Sequence, residues 1–172
     1  MFERKTKKLS KIKKPEQMLG FLNSAERGII FDACEIVMAA YNGNVDKSGM
    51  PKAGHCMRVG MRLLKDGYPE DYVAAGFLCD IFKDSKSNKI DLKKAGITKD
   101  VIDAIEVLTW NIGEEYLEYL QRLKENDVAC VVRIYMLQDD IECNNGTKDE
   151  QARVNGAMVI LKAMRSHMSR WA

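Results

Sequence analysis

Cys79-Asp80 and Lys83-Asp84, inside the run GFLCDIFKDS (76–85), put a thiol, two carboxylates and an ammonium within about two helical turns. His55 stands upstream of them. An imidazole, a thiolate and a carboxylate are the donors of a three-ligand zinc site with one open position. Lysine has the opposite use, because it repels a metal ion and attracts phosphate. Each residue also has a plainer reading. His55 at the start of a helix can bond a backbone group, and Cys79 on an apolar helix face can be a small buried hydrophobe. Lys83 and Asp84 can form a solvated turn.

The elements that must position these groups read as helices throughout. Apolar residues recur at helical spacing in Ile29, Ile30, Ala33, Val37 and Ala40, with Ser24 as the N-cap and Gly43 as the left-handed residue beyond the end. His55 opens a helix that closes near Gly67. Pro69 begins the helix expected to carry Val73 through Ile81 and the whole Cys79-Asp80 motif. Residues 85–97 read as a polar connection. Thr98 caps a helix containing Val101, Ile102, Ile105 and Leu108, after which WNIG interrupts the pattern. Glu114, Glu115, Tyr116, Glu118 and Tyr119 read as an exposed face. Further helices are expected over about 128–141 and, after the Asn145-Gly146 turn, to the end of the chain. A short helix is expected near Pro15. No period-2 run suggests a strand, so the expected fold class is all-α.

Charged residues make up 30% of the chain and apolar ones 46%, which places it among globular rather than disordered proteins. No run approaches the ~20 apolar residues that span a bilayer. Cysteines 34, 56, 79, 130 and 143 have no CxxC spacing, so reduced thiols in a cytoplasmic protein are expected. Residues 1–14 carry seven basic side chains against Glu3 alone, with no apolar segment behind them to make a secretory signal. This basic arm (1–14) is expected to be a solvated terminus rather than a contact for nucleic acid or an acidic partner, since no aromatic residue beyond Phe2 interleaves the lysines. Residues 15–172 then form one helical domain.

In order, the segments AAYNGNVDKSGMPKAGHCMRV (39–59), AAGFLCDIFKDS (74–85), VLTWNIGEEYLEYLQRLKEN (107–126) and VVRIYMLQDD (131–140) resemble the HD-domain phosphohydrolases, in particular the guanosine-tetraphosphate (RelA/SpoT-type) hydrolase branch. The resemblance implies a helical HD-type domain. It also implies a site in which His residues, a His-Asp pair and a distant Asp hold Mn²⁺ or a similar ion beside an acidic pair. Carried across position by position, the first ligand His falls on Tyr41 and the second is kept as His55. The His-Asp pair is Cys79-Asp80, the final Asp falls on Met136, and the Glu-Asp pair is Lys83-Asp84. Only His55 and Asp80 survive as remnant ligands, with Cys79 as a substitute donor.

The resemblance therefore implies a degenerate member without metal-dependent hydrolysis, and no cofactor is expected. It also implies a nucleotide or phosphate-bearing ligand near Asp46, Lys47, Ser48 and Arg58, which with Gly49 stand where the family has similar residues, and near Lys83, whose ammonium replaces a family carboxylate and could hold a phosphate. Tyr41 and Met136 are expected to fill the vacated cavity, and Asp139 and Asp140 to point away from position 136. Two alternatives stay open. One is an active hydrolase of a guanosine polyphosphate with Zn or Mn at a rebuilt His55/Cys79/Asp80 site. The other is an interaction module acting through the basic arm.

Overall fold

The computed structural model describes residues 28–45, 51–143 and 148–168, without the side chains of Asp84, Asp149, Glu150, Arg153 and 164–168. In chain order its helices are α1 (Ile29–Ala40), α2 (Ala53–Lys65), α3 (Glu70–Phe77), α4 (Ile81–Asp84), α5 (Lys89–Lys94), α6 (Lys99–Leu108), α7 (Tyr116–Lys124), α8 (Asp127–Cys143) and α9 (Lys148–Met168). The only pairing outside helices among the described residues is an isolated bridge between Val45 and Pro51, so the fold is all-α as expected. No helix among the described residues is long and apolar enough to cross a membrane. The basic arm, the helix expected near Pro15, Ser24, the loop residues Asp46, Lys47, Ser48 and Gly49, the Asn145-Gly146 turn and the His167 side chain lie outside the described residues.

α3 is the centre of the fold. Val73 through Phe77 leave no polar face, and all five are buried against α1, α2, α6 and α8. The approach of α2 to α3 requires two glycines. A Cβ at Gly60 would lie 2.5 Å from the Phe77 ring, and one at Gly76 would lie 2.5 Å from Leu63 Cδ1. Gly43 (φ 72°) and Gly67 (φ 80°) end α1 and α2 in the left-handed conformation, and the Tyr68 N–H closes the second cap on the Leu63 carbonyl at 3.1 Å.

Two expectations are corrected around the central motif. α3 stops at Phe77, and Leu78–Asp80 form a turn before the short α4, so Cys79-Asp80 do not sit within one continuous helix. The Tyr41 hydroxyl, from just beyond α1, donates to the Asp80 carbonyl at 3.0 Å, and the Lys83 N–H reaches the same oxygen at 3.1 Å. Tyr41 is buried, as expected of a core filler, but it also fixes this turn. Residues 85–97 are not merely connection either. Asn88 and Asp91 form a reciprocal capping box that starts α5.

The WNIG region is fixed from behind. Arg122 on α7 donates to the carbonyls of Val107 (2.8 Å) and Thr109 (3.0 Å) and pairs with both carboxylate oxygens of Glu114 at 2.8 and 2.7 Å. Tyr119 is buried, stacks on Trp110 at 5.4 Å, and donates its hydroxyl to the Leu108 carbonyl. The 114–119 segment therefore faces inward at Tyr119, contrary to the exposed face expected for it. Helical spacing puts Tyr119 in register with Leu120 and Leu123, the buried residues of α7.

Candidate functional site

His55 enters from the first turn of α2, Cys79 and Asp80 from the turn between α3 and α4, and Asp139 and Asp140 from α8. The carboxylate of Asp139 is almost sealed from solvent, at 1% exposure. It accepts from His55 Nδ1 at 2.9 Å, from Arg58 Nε at 2.8 Å and from Arg58 Nη2 at 2.8 Å, and Arg62 Nη2 lies 3.3 Å away. A carboxylate can only accept here, so His55 Nδ1 carries the proton and Nε2 faces the other way. On that side Nε2 is 3.8 Å from Asp80 Oδ2, and Lys83 Nζ is 3.9 Å from Asp80 Oδ1.

The electrostatics follow from this packing. Burial works to raise the Asp139 carboxyl, but the hydrogen bonds from His55 and Arg58 outweigh it and hold the group well below the usual carboxylate range. Burial lowers His55, yet the Asp139 bond and the nearby Asp80 charge leave it above its ordinary value. Asp140 is raised by burial, partly offset by His55 and Arg133. The Cys79 thiol donates to Cys56 Sγ at 3.7 Å, and this bond together with complete burial pushes Cys79 up. The same contact lowers Cys56.

The expectation that Asp139 points away from the site is overturned. Positions 136 and 139 are three apart on a helix and share a face, so the buried Met136 and the buried Asp139 are aimed in the same direction. Asp140 also approaches, with Oδ1 3.9 Å from His55 Nδ1. Arg58, expected near the ligand, has its Nε and Nη2 engaged on Asp139 and orients His55 indirectly. Lys83 is largely exposed beside Asp80.

Arg133 was missed from sequence. It stands alone as a cation in the apolar run Val131–Leu137, two turns before Asp140. That isolation was the available signal. Among the described residues its Nε is buried with no hydrogen-bond partner. Its guanidinium carbon lies 5.8 Å from the centre of the Tyr119 ring, and its charge acts on Cys79 and Asp140.

The donor set does not fit the hard cation that the family resemblance implies. Such an ion takes oxygen and imidazole ligands, whereas this site offers a thiol at Cys79, a thioether at Met136 and an ammonium beside Asp80. His55, Cys79 and Asp80 do each bring one donor atom within 4.8 Å of the others. No protein-family model matches the chain, and no curated protein matches it.

Proposed function

We propose that the chain is a degenerate HD-domain protein that binds a phosphate-bearing small molecule, a guanosine polyphosphate being the first candidate, without cleaving it through a metal. The observation that carries this reading is the environment of Asp80. The surviving carboxylate has an imidazole nitrogen at 3.8 Å and an ammonium at 3.9 Å, where a catalytic metal and an acidic partner would be needed. The partnerless Arg133 Nε supplies a second cation that gains from an anionic acceptor. Lys83 gives a mobile point charge and Arg133 a fixed fork, a combination suited to holding phosphate. Hydrolysis lacks its parts: no carboxylate pair follows Asp80 to move the proton of water, because position 83 is a cation.

Calorimetric titration of the full chain with guanosine tetraphosphate, and separately with pyrophosphate, tests this directly. Binding is expected without product release in the presence of Mn²⁺, and Arg133→Gln or Lys83→Ala should weaken it by about tenfold or more, as for the loss of one charged hydrogen bond. Absence of binding to either compound, or metal-dependent release of pyrophosphate, refutes the reading. The His55/Cys79/Asp80 cluster is the observation that favours the rival, an active metal-dependent hydrolase, and the release assay separates the two.

A further inference from the structure

We propose that Cys56 and Cys79 are a modification site, closing into a reversible disulfide when the protein meets hydrogen peroxide and so tying the start of α2 to the α3–α4 turn. The inference rests on the placement of the two thiols and stands apart from the phosphate-binding reading.

Cys79 Sγ stands 3.7 Å from Cys56 Sγ, although the residues are 23 apart in the chain. A disulfide brings its sulfurs to about 2.0 Å, so the pair has to close by roughly 1.7 Å. Cys56 is fixed within α2, whereas Cys79 belongs to the turn between α3 and α4, and the turn supplies that movement. The other three cysteines have different partners. Cys34 Sγ donates to Met57 Sδ at 4.0 Å, Cys130 Sγ to the Leu161 carbonyl at 4.0 Å, and Cys143 Sγ to Asp139 Oδ1 at 3.7 Å. Cys143 is the exposed thiol, yet it bonds a carboxylate rather than a second thiol.

Burial selects the oxidant. Cys56 and Cys79 are almost sealed from solvent, at 1% and 3% exposure. A bulky oxidant such as glutathione disulfide has no access to them, whereas hydrogen peroxide is little larger than water. Cys79 Sγ lies within 4.8 Å of donor atoms of His55 and Asp80, both partly exposed, so peroxide reaches Cys79 from that side. The Cys79 sulfur attacks a peroxide oxygen, the O–O bond breaks, and the hydroxide leaves with the thiol proton as water, giving a sulfenic acid at Cys79. The Cys56 sulfur then attacks Cys79 Sγ, the S–O bond breaks, and that hydroxide leaves as a second water with the Cys56 proton. Both thiols are oxidised to one disulfide, and one peroxide is reduced to two waters. His55-Cys56 and Cys79-Asp80 are adjacent pairs in sequence, so closure also draws together the backbones that carry His55 and Asp80.

The test treats the untagged full chain with hydrogen peroxide, alkylates the remaining thiols in denaturant and maps tryptic peptides without reduction. Peptides 53–58 and 66–83 should appear joined, lighter by two hydrogens than their sum, and separate on adding dithiothreitol. Amide hydrogens of residues 78–83 should exchange about tenfold more slowly in the oxidised chain, because the link opposes local opening of the turn. In Cys56→Ser, which lacks the second sulfur, dimedone should label Cys79. Cys56 and Cys79 recovered unlinked, or either one joined instead to Cys143, overturns the proposal in the wild-type chain alone, whether or not the variant folds. A disulfide with unchanged exchange at 78–83 overturns the tie between α2 and the turn. Linkage in the wild type with no dimedone on Cys79 in the folded variant overturns the order of attack. None of these outcomes depends on phosphate binding.

Discussion

Asp139→Asn keeps the shape of the side chain and removes the charge on which His55, Arg58 and Arg62 converge. The carboxylate has only 1% of its surface exposed, so the native charge depends on those three partners rather than on water. Removing one member of a fully buried ion pair costs about 3–5 kcal/mol. Here the cations are partly wet, Arg58 at 41% and Arg62 at 27% exposure, and solvent compensates part of their loss. We therefore expect about 3 kcal/mol, or a fall in Tm of about 6–12 °C at the 2–4 °C per kcal/mol usual for a chain of this size. Urea denaturation at pH 7 measures it, with the midpoint shifting at constant slope. Glu142→Gln is the internal control. Glu142 pairs with Arg62 at 2.6 Å but is 61% exposed, and its loss should cost well under about 1 kcal/mol.

The sign of the pH dependence follows from the depressed Asp139 carboxyl. Its contribution is fully present above the ordinary carboxylate range and is lost as pH falls through the lower folded-state value. The His55 imidazole, raised by the same bond, adds its share only below the ordinary histidine range, so the difference between wild type and Asp139→Asn should be largest at mildly acidic pH and shrink on acidification below about pH 4. If Asp139→Asn costs no more than Glu142→Gln, or if the difference grows on acidification below about pH 4, the assignment of Asp139 as the charged hub is wrong.

Gly60→Ala should destabilise the α2–α3 contact by about 1–2 kcal/mol, the strain of overpacking less the helix preference of alanine, because the new Cβ would meet the fully buried Phe77 ring at 2.5 Å. Trimming the ring in the Gly60→Ala/Phe77→Leu double variant should recover part of that loss, and additive losses would show that the clash is not the cause. Arg122→Lys should cost about 1–2 kcal/mol, since an ammonium cannot serve two carbonyls and a bidentate Glu114 together. Thermal melts check the value, and faster proteolysis within residues 109–115 than elsewhere would locate the damage.

Helical class was legible because it rests on repetition. Ala33 and Val37 on α1, or Val101, Ile105 and Leu108 on α6, mark one buried face whatever packs on it. The break between α3 and α4 was not legible, because the Tyr41 hydroxyl that takes the Asp80 carbonyl comes from a segment far away in sequence. α5 was legible in principle, as Asn88 and Asp91 are spaced as a capping box, but its four lysine and aspartate positions read as solvated chain. At the site, His55, Cys79, Asp80 and Lys83 were found from residue type and order. Asp139 was misread by treating a three-residue step as a change of face. The Cys56–Cys79 contact was passed over because it joins α2 to the α3–α4 turn, 23 residues away in sequence.

The position of the α8 carboxylate decides what kind of site this is. With the acid at position 136, the resemblance would place it against a metal; that position holds a buried methionine. The buried acid is instead Asp139, one step further along the same face, and it bonds the far side of the His55 ring under two arginines. A carboxylate so engaged orients the imidazole and makes its Nε2 more basic, but it is not itself a donor on the Nε2 side. On the Nε2 side stand the Asp80 carboxylate at 3.8 Å and the Cys79 thiol, whose sulfur is 3.7 Å from that of Cys56. In this fold α8 contributes its buried acid behind the histidine ring, on the Nδ1 side, rather than in front of it.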